Sequence, residues 1–395
     1  MSTQGRSRGT LPLLFSIVAV DLIGFGIVLP VLPFLAEEFG ASAAVLGALL
    51  TSYALMQALF APIWGRLSDR FGRRPIMLLT IAGTSASLLL LGLADTLPGI
   101  FAARILAGIF AANVSVASAY VTDVTSEDER TRWLGMIGVS YGVGFVIGPA
   151  LGGLLAPLGY GVPMLAAAGL STLNLVYAGF ALREPARHQA RETSSLGPLQ
   201  VLENPLVRRI CASYFGFSLA MTQLETTFAY YMMDRFGYDT RGVAAILVFM
   251  ALIMMAVQGG GLRALVPRYG EKKLILVGSA MLAACLGAVP FVPVVALLLV
   301  PLGLSSIARG ISQPALMGLV SKSASAQTRG TVMGTFQSSA SLARVVGPLI
   351  AGLLYDSWQP GPFLLAAAVL GVVFAISAGL PRSVAPPRSN LEPAL

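Results

Sequence analysis

The sequence of 395 residues is poor in charge, histidine and cysteine. Charged side chains make up 11% of it and hydrophobic ones 56%, whereas a soluble domain is about a quarter charged. A soluble chain of this composition could not cover its surface with polar groups, which argues against a large buried-core enzyme. We therefore predict a membrane protein without enzymatic activity.

The scarce reactive residues exclude several kinds of site. The one histidine, His188, lies in a polar stretch, so a histidine-based triad or zinc site is not expected. Cys211 and Cys285 lie in apolar runs and show neither metal-ligand nor disulfide spacing. No phosphate-binding G-x-x-x-x-G-K-[ST] loop occurs. We predict no metal and no cofactor. We expect any energy-requiring step of this protein to be driven by an ion gradient, such as a proton gradient.

Apolar segments recur along the whole chain, and each is near the roughly 20 residues that cross a bilayer core. They predict an all-α integral membrane protein with twelve transmembrane helices. The predicted spans are 11–35, 43–65, 75–94, 98–122, 131–155, 162–182, 208–233, 242–266, 273–291, 294–320, 330–355 and 361–381.

Basic residues concentrate in every second connection. With the N-terminus inside, 21 of the 26 lysines and arginines lie in cytoplasmic loops and tails or at the span ends that adjoin them, which predicts cytoplasmic N- and C-termini. This distribution accounts for the net charge of +8 without nucleic acid. The basic start shows no cleavage site, so the first apolar run is interpreted as a span. We expect a monomer in the lipid bilayer of a bacterial inner membrane.

A polar stretch in mid-chain divides the spans six plus six. The predicted domains are a bundle at 1–182, a cytoplasmic linker at 183–207 and a second bundle at 208–395. The halves repeat at an offset near 199, which aligns Gly148-Pro149 with Gly347-Pro348. Many secondary transporters are built from such repeats, with the substrate site at the midplane.

The segment GRLSDRFGRRP, from Gly65 to Pro75, places four arginines and one aspartate between spans two and three. A turn that only sets topology would explain the arginines. Asp69, however, lies among cations at a helix end, where it can pair with arginine or cap a helix. A pair that forms in one conformation and breaks in another would act as a latch.

This segment resembles the loop signature G-x-L-a-D-r-x-G-r-[RK] of the major facilitator superfamily. The resemblance covers essentially the whole chain and implies the major facilitator fold, two six-helix bundles. In the family this loop stabilises the outward-facing state. In the second half of this chain, Pro267 stands at the position that aligns with Asp69, so the latch is expected in the first half. Span five resembles the motif of the antiporter subgroups, although its glycines also suit close helix packing. The gating residues implied are Gly65, Asp69, Arg70, Gly72, Arg73, Arg74, Gly144, Gly148, Pro149, Gly152 and Gly153.

Ionisable groups inside spans are functional candidates because they cost about 2.5–3.5 kcal/mol to insert. Asp21 in span one has no basic neighbour in sequence. Desolvation favours its neutral form, so we predict a proton site, with a structural hydrogen-bonding or helix-pairing role as the alternative. Arg104 in span four matches the family's R-x-x-x-G motif with Gly108. The resemblance implies a part in proton coupling, and a structural anchor is the alternative.

Glu225 is the second carboxylate inside a span, in a segment rich in polar and aromatic side chains. We predict that it contacts substrate or carries a second proton. The alternative is an ion pair with Arg309 or Arg344. Amphipathic or cationic ligands suit such a lining. The predicted substrate-binding residues are Tyr53, Gln57, Asn113, Gln223, Glu225, Phe228, Arg309, Gln313 and Gln337.

The opening spans are similar to bacterial drug:proton antiporters and especially to tetracycline efflux proteins. Those pumps carry an aspartate in span three where this chain has Ser87. We therefore predict proton-coupled efflux of small lipophilic compounds by alternating access rather than transport of tetracycline specifically. A symporter or facilitator of a metabolite such as a sugar or organic acid remains the alternative, and a non-transporting scaffold is a third possibility.

Overall fold

The computed structural model describes residues 11–125, 127–185, 197–325 and 328–381. All regular secondary structure in these ranges is helical. Parts of the predicted linker and of both tails, including His188, lie outside the described residues.

Twelve long helices account for the twelve predicted spans. In the first half they are α1 Leu11–Glu38, α2 Ala43–Phe71, α3 Arg73–Gly92, α4 Leu97–Val124, α5 Glu127–Leu155 and α6 Gly161–Ala181. In the second half they are α7 Pro205–Phe236, α8 Thr240–Ala256, α9 Leu262–Ala288, α10 Val295–Lys322, α11 Arg329–Ser357 and α12 Gly361–Ala378.

Among the described residues, eleven of these helices are long and apolar enough to cross a membrane. The exception is α7, which has 32 residues but a lower mean hydropathy because it carries Gln223, Glu225, Asp234 and Arg235 along with two arginines in its first turns. Its length nevertheless exceeds the roughly 20 residues that a bilayer core requires.

Two helix boundaries differ from the sequence prediction. The segment from Gly65 to Phe71 is not a turn, because it forms the last two turns of α2. Gly72 alone joins α2 to α3, with φ of 107°. The second difference is a π-helical turn at Val257–Gly261, through which α8 continues into the first part of α9. Gly270, with φ of 72°, is non-helical and divides α9, so the backbone reverses there, between the predicted spans 242–266 and 273–291, and the part of α9 after Gly270 corresponds to the second of these. Glycine reaches such positive φ values without the steric cost of a Cβ.

The two glycine turns support the internal repeat. Gly72 and Gly270 occupy the aligned positions of the two halves, and each makes the connection that follows the second helix of its half. The third helix of each half also packs on the sixth, α3 on α6 and α9 on α12.

Internal contacts divide the chain into two compact units. The first contains the described residues of Met1–Gln189, Thr226–Ala251 and Pro348–Ser357, and the second contains those of Ala190–Glu225, Leu252–Gly347 and Trp358–Leu395. The six-plus-six division of the chain into domains remains a prediction.

In the first unit, α1 is central and packs against α5 and α6. Its buried residues join side chains of α3, α4 and α5 in one apolar core, where Phe15 stacks on Trp133 with ring centroids 5.5 Å apart. This core places the middle of α1, with Asp21, next to α4.

Candidate functional site

Helix α4 is broken at its midpoint. The segment Leu97–Phe110 ends at Ala111, and a second segment, Asn113–Val124, begins after Ala112. Two side chains of α2 donate to carbonyl groups at this break, Trp64 Nε1 to Ile109 O at 2.6 Å and Gln57 Nε2 to Ala111 O at 3.2 Å. Because a buried carbonyl without a donor is costly, these bonds make the break a stable feature of the fold.

Two of the predicted proton-coupling residues lie beside α4 or within it. Asn113, the first residue after the break, donates from Nδ2 to Asp21 Oδ1 at 2.8 Å. Arg104, two turns before the break, lies over the ring of Tyr53 at 4.3 Å from the centroid. The structure therefore brings Asp21 together with Asn113, and Arg104 together with Tyr53, as two polar contacts inside one helix bundle.

The burial of these groups differs. Arg104 and Asn113 are 4% and 3% exposed, whereas Asp21 is partly exposed. In the described part of the chain, no carboxylate pairs with Arg104, and its Nε and Asn113 Oδ1 have no hydrogen-bond partner. A buried cation without a counter-ion is unfavourable unless an aromatic face or a bound anion offsets the cost.

The predicted latch forms an ion-pair network at the α2–α3 turn. Arg73 Nη1 lies 2.5 Å from Asp69 Oδ1, and Arg73 Nε lies 2.7 Å from Asp123 Oδ2 at the end of α4. Asp69 is 63% exposed in its side chain, whereas Arg73 is 14% exposed. The pairing predicted for Asp69 is present, and Asp123 is a partner that the sequence did not reveal.

A helix cap at the same turn comes from a residue that the sequence analysis missed. Glu184, which follows α6, accepts hydrogen bonds from the backbone N–H groups of Arg73 at 2.6 Å and Arg74 at 2.9 Å. A carboxylate at this position satisfies free N–H groups and complements the helix dipole. Asp69 therefore pairs with an arginine while Glu184 caps α3.

The glycines of α5 pack directly on α1. A Cβ built on Gly148 would lie 2.5 Å from Gly26 Cα, and one on Gly152 would lie 2.7 Å from Ile27 O. Gly144 is equally close to Leu22, one residue after Asp21. Close packing of small residues, the structural alternative for this motif, is therefore present, and a gating role remains a prediction.

The opposite end of the first unit contains contacts that the sequence did not predict. Asp356, at the end of α11, accepts from the backbone N–H groups of Ala43 and Ala44 at 3.0 Å each. Tyr230 of α7 donates its hydroxyl to Ala41 O at 2.7 Å, and a Cβ on Gly352 would lie 2.1 Å from Ala43 O. The start of α2 is thus held by α7 and α11, which come from the second half of the sequence.

In the second unit, Glu225 forms an ion pair with Arg309. Glu225 Oε1 lies 2.7 Å from Arg309 Nη1, and the side chains are 46% and 28% exposed. Apart from Glu225, all residues of α7 from Ala220 to Met232 are buried. An exposed ion pair within a span is expected to face water rather than hydrocarbon.

The other predicted binding residues have varied surroundings. Gln223 is fully buried and donates to Gly347 O at 3.2 Å, which ties α7 to α11. Phe228 is buried, Gln313 is partly exposed one turn after Arg309, and Gln337 is exposed. Arg344, the other predicted partner of Glu225, donates to Ser341 Oγ instead. Their roles in substrate binding remain predictions.

The second unit repeats the ion pair of the first with its charges exchanged. Glu271, the residue after the Gly270 turn, pairs with Lys322 at the end of α10. Glu271 and Lys322 align with Arg73 and Asp123 through the internal repeat. Each half therefore links the residue that follows its glycine turn to the end of its fourth helix, although the acidic and basic partners are exchanged.

The comparison with protein families gives the class. The family model of the Major Facilitator Superfamily matches residues 14–266 and 262–394, and the chain belongs to this superfamily. A solved bacterial homolog of the human lysosomal transporter Spinster superposes with a TM-score of 0.77 at 16% identity, covering 96% of this chain and 97% of that one. It shows the shared fold, and the protein is a multi-pass membrane protein.

Curated relatives place the chain near drug-resistance proteins. It is 31% identical to the class H tetracycline resistance protein of Pasteurella multocida, over 92% of this chain and 94% of the relative. It is 30% identical to multidrug resistance protein 2 of Bacillus subtilis, over 91% and 92%. The family and these relatives agree with the resemblance found in the sequence.

At Ser87 the chain differs from the tetracycline pumps that it resembles, which carry an aspartate at this position of span three. Ser87 is 1% exposed and donates its hydroxyl to Thr84 O at 2.7 Å, within its own helix. A buried hydroxyl lacks the negative charge of a carboxylate and has one acceptor oxygen instead of two.

Proposed function

We propose that this protein is a secondary active transporter that exports small lipophilic drugs or similar compounds in exchange for protons, by alternating access. The observation that carries the proposal is the Asp21–Asn113 contact at the break in α4. Transporters of this kind place coupling groups at discontinuous helices near the membrane midplane. The tetracycline and multidrug resistance proteins among its relatives support the direction and the substrate class.

Asn113 suits a carboxylate that binds and releases a proton. When Asp21 is charged, the Asn113 amide N–H donates to it, as observed at 2.8 Å. When Asp21 is neutral, its O–H can donate to the amide oxygen after the amide rotates. Since Asn113 is 3% exposed, we propose that it orients Asp21 in both states while the exposed edge of the carboxyl exchanges the proton.

We propose that Arg104 supplies a fixed positive charge in the same bundle. Its guanidinium stays protonated and is held by the Tyr53 ring rather than by a carboxylate. A permanent cation favours the charged form of any acidic group that approaches it, and thus the release of a proton. Exposure of a carboxylate to a cytoplasmic or an external pathway would then decide where its proton is delivered.

The Glu225–Arg309 pair is the proposed substrate contact or second proton site. An amphipathic cation that approaches Glu225 would compete with Arg309 for the carboxylate, whose side chain is 46% exposed. Such competition would couple substrate binding to the release of Arg309. The pair thus offers a recognition mechanism for cationic compounds that does not require a metal.

A proton gradient suffices for the proposed export. One proton moving through 100 mV yields about 2.3 kcal/mol, and half a pH unit adds about 0.7 kcal/mol. About 3 kcal/mol sustains a gradient of roughly 150-fold for a neutral compound. We propose that a monomer with both termini in the cytoplasm performs the cycle without cofactors, and that the α2–α3 turn is the latch on the cytoplasmic side.

Reconstituted vesicles with an internal pH dye test this proposal. A panel of lipophilic cationic and zwitterionic compounds is added under an imposed pH gradient. We expect compound-dependent proton movement that Asp21→Asn abolishes and that Asp95→Asn, a matched change of an exposed loop aspartate, leaves intact. Compound flux without proton movement would instead establish a facilitator and assign Asp21 a structural role.

A further inference from the structure

A long apolar groove lies in the second unit among α7, α11 and α12. Its volume is about 730 Å³. The residues that line it are mainly apolar, including Cys211, Phe215, Leu219, Leu342, Val369 and Val373. Leu342 and Val372 on its rim are 56% and 59% exposed. The groove belongs neither to the α4 break nor to the Glu225–Arg309 pair.

Two of the three hydroxyl residues in the wall, Thr335 and Ser339 but not Ser338, direct their hydroxyls to their own helix. Thr335 Oγ1 donates to Thr331 O at 2.9 Å, and Ser339 Oγ donates to Phe336 O at 2.6 Å. Both hydroxyls are therefore occupied by their own helix backbone. A ligand in this groove meets apolar surface along most of its length, and hydrocarbon suits it better than a polar compound does.

One end of the groove is strongly basic. Arg208 lines both the groove and an adjoining cavity of about 320 Å³, which Arg209 also lines. Arg209 donates to Gly379 O at 3.0 Å, at the end of α12. Among the described residues, neither arginine has an acidic partner, and the Arg208 guanidinium has no hydrogen-bond partner.

The length of the groove matches one leaflet of a bilayer. From Arg208 to Leu219 the lining of α7 spans eleven residues, or about 16 Å at the helical rise. Half of the bilayer hydrocarbon core is about 15 Å. A molecule with its anionic group at Arg208 would thus carry its chain along the groove toward the midplane.

We propose that this groove binds one anionic phospholipid, with its phosphate at Arg208 and Arg209 and an acyl chain among α7, α11 and α12. Basic pockets between transmembrane helices recognise anionic headgroups. The charge selects against zwitterionic lipids, which bring a compensating cation to the same arginines. The occupied groove would join α7, α11 and α12 at one end of the second unit.

Native mass spectrometry of the purified protein tests the proposal. The protein is incubated with equimolar phosphatidylglycerol and phosphatidylcholine of the same chain length, and the first bound lipid is identified. We expect phosphatidylglycerol to exceed phosphatidylcholine by about five-fold for each engaged arginine, since one basic residue contributes about 1 kcal/mol near anionic lipid. This assay measures binding alone and does not depend on transport.

Three variants complete the test. Arg208→Gln should lower the preference about five-fold, and Ala212→Trp, which fills the mouth of the groove, should remove the first lipid. Arg268→Gln, an exposed arginine elsewhere in the unit, should change neither. Size-exclusion profiles confirm that each variant is folded.

Three results would overturn the assignment. These are equal binding of the two lipids by the unaltered protein, an unchanged preference in Arg208→Gln, or loss of drug binding in Ala212→Trp with the lipid ratio unchanged. The last result would make the groove a substrate site instead.

Discussion

The contact between Asp356 and the start of α2 should control how readily one end of the first unit opens. Asp356 bonds to two backbone N–H groups at 3.0 Å each, while Ser42, the residue before α2, makes no side-chain cap. The carboxylate is therefore the cap of α2, although it comes from α11. Opening this end, as alternating access requires, must break both bonds.

The size of the effect follows from capping energies. Loss of a helix cap costs about 1–2 kcal/mol, and a charge at the helix N-terminus adds a similar but screened contribution. Since Asp356 is exposed, we take about 1–2 kcal/mol for Asp356→Ala. That change raises the population of the open end by about 5–30-fold.

Alkylation of an introduced cysteine measures this opening. Ala41 is 5% exposed when this end is closed, so Ala41→Cys should react with a membrane-impermeant maleimide only when the end opens. The native Cys211 and Cys285 are replaced by serine. Asp356→Ala should raise the alkylation rate by about 5–30-fold, and Asp95→Asn should leave it unchanged.

Either of two results would refute this reasoning. One is an alkylation rate that Asp356→Ala leaves within two-fold of its parent, on the order of 0.4 kcal/mol. The other is an equal increase in the Asp95→Asn control, which would indicate a general effect of negative charge at this end.

Three further predictions concern packing and polar contacts. Gly148→Ala should strongly lower the amount of folded protein seen by size exclusion, because its Cβ meets the backbone of α1, whereas Gly138→Ala, with open space around it, should not. Arg73→Glu should reduce transport, and adding Asp123→Lys should restore part of it by reproducing the exchanged pair of the second half. Gln57→Leu should lower thermal stability by about 1–3 kcal/mol, because a carbonyl at the α4 break loses its donor.

Each of these predictions has a contradicting outcome. Equal yields of the two glycine variants would show that α1 and α5 do not pack as closely as described. A double variant no more active than Arg73→Glu would mean that the arginine acts through Asp69 rather than through its link to α4. An unchanged melting temperature of Gln57→Leu would show that water satisfies the break.

Eleven of the twelve helices could be predicted from sequence because apolar length alone defines a membrane span, and α7 could be predicted from its length despite its polar residues. The ends of α2 and α3 could not, because the arginines that mark a connection also continue a helix. Gly72 carries the whole turn. The break in α4 was equally hidden, since Ala111 and Ala112 are good helix formers and the donors to its carbonyls come from α2.

Part of the candidate site could also be predicted from the sequence. Charged residues inside apolar runs identify Asp21, Arg104 and Glu225, because their cost demands a reason. Glu184 and Asp356 escaped notice, since each lies at a polar helix end and caps a helix far away in sequence. Only the fold brings such partners together, and the local sequence around them has no distinctive pattern.

The most direct test of proton coupling through Asp21 compares two modes of transport in one preparation. In proteoliposomes carrying Asp21→Asn, a radiolabelled drug is followed first as exchange against unlabelled drug and then as accumulation driven by a pH gradient. If Asp21 carries the coupled proton, exchange persists while accumulation falls to the level of vesicles without a gradient. Full proton-driven accumulation by Asp21→Asn would contradict this assignment, and so would loss of both modes in a protein that remains folded and binds the drug.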